Sequence, residues 1–182
     1  MTAPLQDLAH YRLPAQWSPG APRGQQVLWL LAGQPLLGSF LPGTPWRKAL
    51  LRLFGARLGS GGRFKPHLRV KFPWRLQVGD HCWLGEEVWI DNLAPVRLGD
   101  RVCLSQGVYL CTGNHDFRSP QFSLRVQPIQ IDADAWIAAR AVLAPGTHVG
   151  AGAVVALAAA VKGTVAPGAV VAGNPARLVG HR

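Results

Sequence analysis

The chain has 182 residues, 48% of them hydrophobic, so it is long and apolar enough for one domain with a buried core. Lys and Arg number 19 against 9 Asp and Glu, and the resulting net charge of +10 predicts anionic partners. Three cysteines without a CxxC spacing argue against a disulfide scaffold, and the lack of a signal-peptide pattern at the start predicts a cytoplasmic protein.

The first 57 residues are predicted to form a small helical region, with helices near 25–40 and 46–55. In the second helix, apolar residues from Trp46 to Phe54 recur at helical spacing with basic residues between them. The most apolar stretch, Val27 to Leu41, is interrupted by a Gln and a Pro and is too short to cross a bilayer comfortably. We expect it to pack on the domain, and its place just before a basic cluster also fits a peripheral contact with the inner face of the membrane.

From residue 58 to the end, the domain 58–182 follows a six-residue period. After a weaker start at Leu58, Phe64 and Val70, aliphatic anchors stand at Val78, Leu84, Ile90, Leu98, Leu104, Leu110, Ile131, Ile137, Leu143, Val149, Val155 and Val161. Four residues after each of these twelve anchors except Leu110 comes a small or β-branched residue. A helix or a simple alternating strand cannot produce this pattern, whereas a short strand plus a tight turn can. Three such units predict one triangular coil of a β-helix, and a β-sandwich with accidental spacing is the alternative.

The period fails from Cys111 to Gln127, which predicts a loop, 111–128, inserted into the β-helix. A long loop on a regular solenoid usually carries function, and His115 stands in it among polar neighbours. A solvated side chain is the alternative interpretation of a lone loop histidine. Asp91 and Asn92, at a two-residue insertion one coil earlier, are candidates for a site or for simple turn residues.

Four segments carry a resemblance to a known family: PWRLQVGDHCWLGEEVWID (73–91), SQGVYLCTGNHDFRSPQF (105–122), PIQIDADAWIAARAVLAPGTHVGAGAVV (128–155) and VVAGNPARLV (170–179). With LLRLFGARLG (50–59) they extend the likeness over nearly the whole chain. On these residues the chain resembles the hexapeptide-repeat O-acetyltransferases, above all the colanic-acid biosynthesis branch related to maltose and galactoside acetyltransferases. The resemblance implies an all-β fold, a single-stranded left-handed parallel β-helix, with a small α-helical N-terminal region.

The same resemblance implies an activity and a catalytic group. The expected reaction moves an acetyl group from acetyl-CoA to a hydroxyl of a sugar or lipid-linked oligosaccharide in exopolysaccharide biosynthesis. His115 is the expected general base, because a neutral imidazole can take the hydroxyl proton as attack occurs. Asp91 and Asn92 are expected to contact the acceptor sugar, as are Asn114 and Asp116 on either side of the histidine.

For the acetyl-CoA site, the resemblance points to Ala139, Lys162, Gly163 and Arg177, in a groove between adjacent subunits of a homotrimer. The chain departs from the family at two of these positions. Ala139 replaces the usual Ser or Thr, so only its backbone can contact the cofactor. The usual Thr-Lys pair is Lys162-Gly163, which moves the basic residue by one.

Three tryptophans share a phase in the repeat: Trp83, Trp89 and Trp136. We expect them to lie together on one outer face, either buried in a trimer interface or under the N-terminal helices, or exposed as a sugar-stacking platform.

Two other classes of protein compete with the acetyltransferase. A non-catalytic β-helix scaffold has the same repeat. A zinc enzyme like the γ-type carbonic anhydrases needs three histidines at a subunit boundary, and no second histidine follows His115 within its loop, so no metal is expected. The sequence contains no recognised nucleic-acid-binding motif, so nucleic acid is not an expected partner despite the positive charge.

Overall fold

The computed structural model describes residues 6–182. A short 3₁₀ turn, Leu8–His10, precedes a helical segment that runs from Arg23 to Leu37 with a π-helical stretch at Trp29–Gly33. A second helix spans Thr44–Leu53, and another 3₁₀ turn spans Pro73–Arg75. The two helices predicted near 25–40 and 46–55 are therefore confirmed. No helix among residues 6–182 is long and apolar enough to cross a membrane.

Apart from one two-stranded hairpin, the strands from Arg57 onward form three sheets, which are the three sides of a coiled prism and are parallel except for the last strand of sheet B. Sheet A contains Arg57–Leu58, Leu76–Val78, Val96–Leu98, Ile129–Ile131, His148–Val149 and Thr164–Val165. Sheet B contains Arg63–Phe64, Trp83–Leu84, Cys103–Leu104, Trp136–Ile137, Val154–Val155, Ala169–Ala172 and Arg177–His181. Sheet C contains Arg69–Val70, Trp89–Asp91, Tyr109–Cys111, Val142–Leu143 and Ala160–Val161. The chain visits A, B and C in turn, so it winds as a parallel β-helix.

The interior of the prism holds the two sets of residues that the period predicts. The anchors Leu84, Ile90 and Leu104 are completely buried, and the small residues Ala141 and Ala153 are buried equally well. Each coil thus fills its own interior and packs on the coils above and below. The buried residues form one core that continues from the first coil to the last, and every layer of it removes apolar surface from water.

Three corners join the sheets, and we name each by the sheets it connects: A–B, B–C and C–A. At the regular corners the residue after the anchor lies close to the backbone of the next coil. A Cβ added to Gly85 would lie 2.6 Å from the Gln106 nitrogen, closer than real contacts allow. Left-handed backbone occurs two residues later, at φ +57° for His81 and +56° for Arg101. The small residue is therefore required for coil spacing, while the following residues form the turn.

The outward side chains differ from sheet to sheet. The strand register aligns Arg57, Gln77, Arg97, Gln130, His148 and Thr164 on sheet A. It aligns Arg63, Trp83, Cys103, Trp136, Val154 and Val170 on sheet B. It aligns Arg69, Trp89, Tyr109, Val142 and Ala160 on sheet C. The prediction that the three tryptophans share one face is wrong for Trp89, because six residues along a three-sided coil lead to the next face.

Both ends of the prism are covered. The helix Thr44–Leu53 lies over the first coil, where Leu51 is completely buried and the Lys48 ammonium donates to the carbonyls of Gly59 and Gly61 at 2.8 and 2.6 Å. At the other end, Arg177–His181 pairs antiparallel with Ala169–Ala172 and covers the last edge of sheet B. Covering an edge in this way protects its unpaired backbone groups from other chains.

Candidate active site

The inserted loop contains a β-hairpin at the C–A corner. Gly113–His115 pairs antiparallel with Leu124–Val126, so the stretch predicted as a loop is more ordered than its composition suggested. The hairpin leaves the coil directly above Leu93. A Cβ on Gly113 would lie 2.5 Å from the Leu93 Cδ1 atom, so the hairpin passes close to this side chain.

His115 stands at the end of the first hairpin strand, and its ring orientation is fixed from several sides. The ring lies parallel to Phe122, with centroids 4.3 Å apart and an interplanar angle of 6°. Its Nδ1 atom is 2.7 Å from the Phe122 carbonyl oxygen. A carbonyl only accepts hydrogen bonds, so Nδ1 carries the proton and neutral His115 keeps its lone pair on Nε2. Within residues 6–182, Nε2 has no hydrogen-bond partner.

The segment before the first long helix crosses the C–A corner, and we call residues 7–19 the N-terminal arm. The Asp7 amide donates to the Pro120 carbonyl at the hairpin tip at 2.8 Å. Tyr11 meets the His115 ring edge-on, with centroids 5.7 Å apart at 61°. Farther along, the Trp17 indole N–H donates to the Leu93 carbonyl at 3.2 Å. The arm therefore packs beside the hairpin and forms one wall around the histidine.

A cavity of about 650 Å³ opens next to His115. It is bordered by both strands of the hairpin and by Ala144, Pro145 and Lys162 from the coils above. Asn114 and Asp116, predicted as substrate contacts, both line it, as do Arg118 and Arg125. Arg125 forms an ion pair of 2.5 Å with Asp116. The structure thus brings the candidate base together with two predicted polar residues, one predicted cofactor residue and two arginines.

Asp91 lies at the end of its sheet C strand, below the hairpin. Its carboxylate is 3.1 Å from the Lys71 ammonium and accepts a hydrogen bond of 3.3 Å from the Tyr109 hydroxyl. Burial raises the pKa of Tyr109, and the neighbouring Cys111 and Asp91 raise it further, so the phenol stays protonated and donates. Asp91 is therefore a partly buried carboxylate held by two donors, and it is not among the residues that line the cavity at His115.

Asn92, predicted beside Asp91 as a sugar contact, is completely buried. Its side chain accepts from the Phe72 amide at 2.9 Å and donates to the Phe72 carbonyl at 2.8 Å. These two bonds replace a strand pairing at the two-residue insertion. The amide is thereby used to join adjacent coils, which is the turn role that the sequence left open.

The predicted cofactor residues fall on two different corners. Lys162 and Gly163 form the C–A turn above the hairpin, and Lys162 also borders a second cavity of about 440 Å³ that Arg177 lines. Ala139 lies at the B–C corner. Its carbonyl accepts from the Ala158 amide at 2.9 Å, while its own N–H donates to no group within residues 6–182. One chain therefore does not bring Ala139 together with Lys162.

Among residues 6–182 there is no group of three or more His, Cys, Asp or Glu side chains placed to hold a metal ion.

Comparison with known proteins identifies the family. No family model matches the chain. It is 34% identical over 180 residues, 98% of each chain, to WcaF of Escherichia coli K12, provisionally named a colanic acid biosynthesis acetyltransferase. A hexapeptide-repeat acetyltransferase from Vibrio cholerae superimposes with a TM-score of 0.76 at 30% identity, covering 88% of this chain and 94% of the other. The chain belongs to the hexapeptide-repeat acetyltransferases.

Membership of this family confirms two predictions. The β-helix of this hexapeptide-repeat acetyltransferase is the left-handed form expected for the family, and its enzyme class is acetyl transfer. A second structure of the Vibrio cholerae protein, complexed with acetyl-CoA, has a TM-score of 0.76 and 27% identity over 87% of this chain and 86% of the other.

The sequence missed several residues around His115. Phe122 and the two arginines could have been suspected, since they lie in the same inserted loop. Tyr11 carries no local signal, because its contact with His115 joins residues more than 100 positions apart and depends on how the N-terminal arm crosses the corner.

Proposed function

We propose that this acetyltransferase moves an acetyl group from acetyl-CoA to a hydroxyl of a sugar or polysaccharide intermediate, with His115 as the general base. The observation that carries the proposal is the hydrogen bond from Nδ1 to the Phe122 carbonyl, which leaves the Nε2 lone pair as the acceptor for a proton. The ring lines a cavity large enough for a sugar. Aromatic contacts with Phe122 and Tyr11 hold it in one orientation, as a base in a positioned proton transfer requires.

The proposed chemistry is direct transfer. Bound acetyl-CoA supplies an acyl carbon that is open to attack by an oxygen nucleophile. A sugar hydroxyl is a poor nucleophile at neutral pH, so Nε2 takes its proton as the oxygen approaches that carbon. The Phe122 carbonyl stabilises the imidazolium that results, because it accepts from the Nδ1 proton throughout. The proton on Nε2 is then available for the departing thiolate.

For the acceptor, we assign a positioning contact to Asp91 and further contacts to Asn114 and Asp116. Asp91 keeps acceptor capacity on its carboxylate beyond the bonds from Lys71 and Tyr109. Sugar hydroxyls donate well to such an oxygen. Asn92 does not share this role in the proposal, because both ends of its amide are bonded to Phe72.

The residues present fit a CoA ester. Lys162 and Arg177 are basic groups around one cavity and suit phosphates. The unused N–H of Ala139 suits a pantetheine carbonyl, which removes the need for the hydroxyl that the family usually has there. Gly163, with φ at +88°, allows the tight turn that presents Lys162.

A homotrimer is part of the proposal, and the corners suggest its arrangement. His115 and Lys162 lie at the C–A corner and Ala139 at the B–C corner, which are the two ends of sheet C. If sheet C of each chain faces a three-fold axis, the C–A corner of one chain meets the B–C corner of the next. All the assigned groups then surround one groove, although no single chain contains it. Light scattering tests this: a monomeric mass contradicts it.

The pathway is proposed from the likeness to WcaF, which points to exopolysaccharide biosynthesis. A lipid-linked sugar at the inner face of the membrane would be a suitable acceptor. Exposed apolar side chains on the first helical segment and just after it, such as Leu31 at 72% and Phe40 at 75% exposure, support a peripheral contact there together with the positive charge. Failure to co-sediment with anionic vesicles at low salt counts against that contact.

The experiment that tests the function is CoA release from acetyl-CoA with a panel of acceptor sugars and oligosaccharides. We expect release that depends on the acceptor and saturates with its concentration. The same reactions without acceptor are the control, since hydrolysis alone would also release CoA. Binding of acetyl-CoA without turnover on any acceptor would favour the scaffold alternative.

A further inference from the structure

The outer surface of sheet B carries a second cluster of chemistry-bearing side chains, away from His115. We call Arg63, Trp83, Cys103 and Trp136 the sheet B strip. The strand register stacks them in this order on four successive coils. In a triangular coil the C–A corner is the vertex opposite sheet B, so this strip borders none of the cavity around His115.

The strip has the shape of a cleft between two aromatic walls. Trp83 is 51% exposed and Trp136 is 45% exposed. The much smaller Cys103 stands between them, so the two indoles are separated by two strand spacings, about 10 Å. A cavity of about 570 Å³ occupies the gap.

The aromatic walls are preorganised. The Trp136 indole N–H donates to the Ser105 hydroxyl at 2.9 Å, which fixes the direction of that ring. The Arg63 guanidinium lies over the Trp83 ring at 4.9 Å from its centroid. Because these rings are already held, a ligand that packs on them loses little side-chain entropy.

The other two faces lack such a cleft. The outward column of sheet A is polar throughout, from Arg57 to Thr164. On sheet C, Trp89 and Tyr109 stand on adjacent coils and stack directly on each other, with centroids 4.4 Å apart. On sheet B alone, among the described residues, do two aromatic rings leave a ring-sized gap between them.

The chemistry of the cleft fits an acidic glycan. Pyranose rings present apolar C–H faces that pack on indoles, and the spacing of the two walls is comparable to two sugar residues along a chain. Ser105, Gln106 and Glu86 border the cleft and can bond sugar hydroxyls. Arg63 and Lys65 exceed the single carboxylate of Glu86 by one positive charge, which favours a chain with carboxylates.

We infer that the sheet B strip is a binding site for an acidic polysaccharide, distinct from the transfer site. It would hold a polymer chain on the enzyme, while acetyl transfer takes place at the C–A corner. The inference goes beyond the proposed function and does not depend on it, because glycan binding is measured without acetyl-CoA and without turnover.

The test is binding of the full chain to alginate, a polyuronate, followed by tryptophan fluorescence and by affinity electrophoresis, with neutral dextran as a second probe. We expect alginate to bind and the double variant Trp83→Ala, Trp136→Ala to weaken binding at least 10-fold. Phe40→Ala, which removes a 75% exposed aromatic side chain just after the first helical segment, is the matched control and should bind like wild type.

The contribution of positive charge to alginate binding is tested by a second matched pair of variants. Arg63→Gln should weaken alginate binding several-fold, whereas Arg97→Gln, an exposed arginine on sheet A, should have no such effect. Equal effects of the two would mean that net charge alone attracts the polymer, and this overturns the inference. Alginate binding that survives the double tryptophan variant would also overturn the inference, as would displacement of alginate by CoA. A change of oligomeric mass in that variant would overturn it too, because the strip would then be an interface between copies.

Discussion

The A–B and C–A corners of this acetyltransferase are built from the same repeat and differ in almost everything else. At the A–B corner, Gly79 leads into a short turn in which His81 adopts left-handed backbone, and the next coil repeats the arrangement with Gly99 and Arg101. At the C–A corner no two consecutive turns are alike. One contains the buried Asn92, and the next carries the hairpin with His115.

This difference explains why we place the proposed site at the C–A corner. Regular turns use their polar backbone groups to join coils, as where the Arg101 amide donates to the Asp80 carbonyl. An insertion removes a stretch of chain from the ladder, and its backbone must then be bonded by other means, as in the hairpin Gly113–His115 with Leu124–Val126. A histidine there can be oriented by a neighbouring carbonyl. We therefore expect changes at the regular stack to act on stability and changes at the C–A corner to act on the reaction.

The largest effect on the free energy of unfolding is expected at a leucine of the regular stack, and a leucine at the C–A corner gives the comparison. Leu104→Ala removes a completely buried side chain from the regular stack, so we expect the free energy of unfolding to fall by about 2–5 kcal/mol. Leu93→Ala, at the C–A corner, removes a half-buried side chain and should cost less than half as much. Denaturant unfolding measures both. Equal losses would mean that the C–A corner is as much a part of the folding core as the regular stack.

Asn92→Ala should act on stability although it adjoins the site. It leaves the Phe72 amide and carbonyl without their partner, at a cost of about 1–3 kcal/mol in the free energy of unfolding. The Michaelis constant for the acceptor should change little. A raised acceptor constant in a variant with unchanged stability would restore Asn92 as a sugar contact.

Asp91→Ala, in contrast to Asn92→Ala, should act on acceptor binding. Loss of a charged acceptor for a sugar hydroxyl is expected to raise the Michaelis constant for the acceptor about 10-fold, with that for acetyl-CoA unchanged. Steady-state kinetics with each substrate varied in turn measures the split. Lys71→Met is the control that removes the ion pair alone. If it raised the acceptor's Michaelis constant as much as Asp91→Ala does, the sugar contact would belong to the lysine.

The smallest effect is expected at Lys162. Lys162→Gln removes an exposed charge, so the Michaelis constant for acetyl-CoA should rise about 2–5-fold at low salt and less at high salt. The acceptor constant should stay the same. A salt-independent change would indicate that Lys162 acts through packing rather than through its charge.

The sequence predicts the regular part of this molecule well, for a physical reason. Each anchor, such as Leu84 or Leu104, must be buried wherever its coil lies, so a local pattern of six residues determines the interior. The same pattern misled for Trp89, because the number of sides of the coil decides which outer face a residue shares. Tyr11 could not be predicted at all, since its neighbour His115 is reached only through the folded path of the N-terminal arm.

The central claim is that the C–A corner carries the chemistry through His115 while the regular stack carries the fold. Its most direct test is the turnover number and the thermal unfolding midpoint of His115→Ala, measured beside those of His148→Ala, a sheet A histidine paired with Asp132 at 2.8 Å. We predict that His115→Ala lowers turnover by about 10²–10⁴-fold with an unchanged midpoint, and that His148→Ala keeps its turnover. Turnover of His115→Ala within a few-fold of wild type, or an equal loss in both variants, would contradict the account.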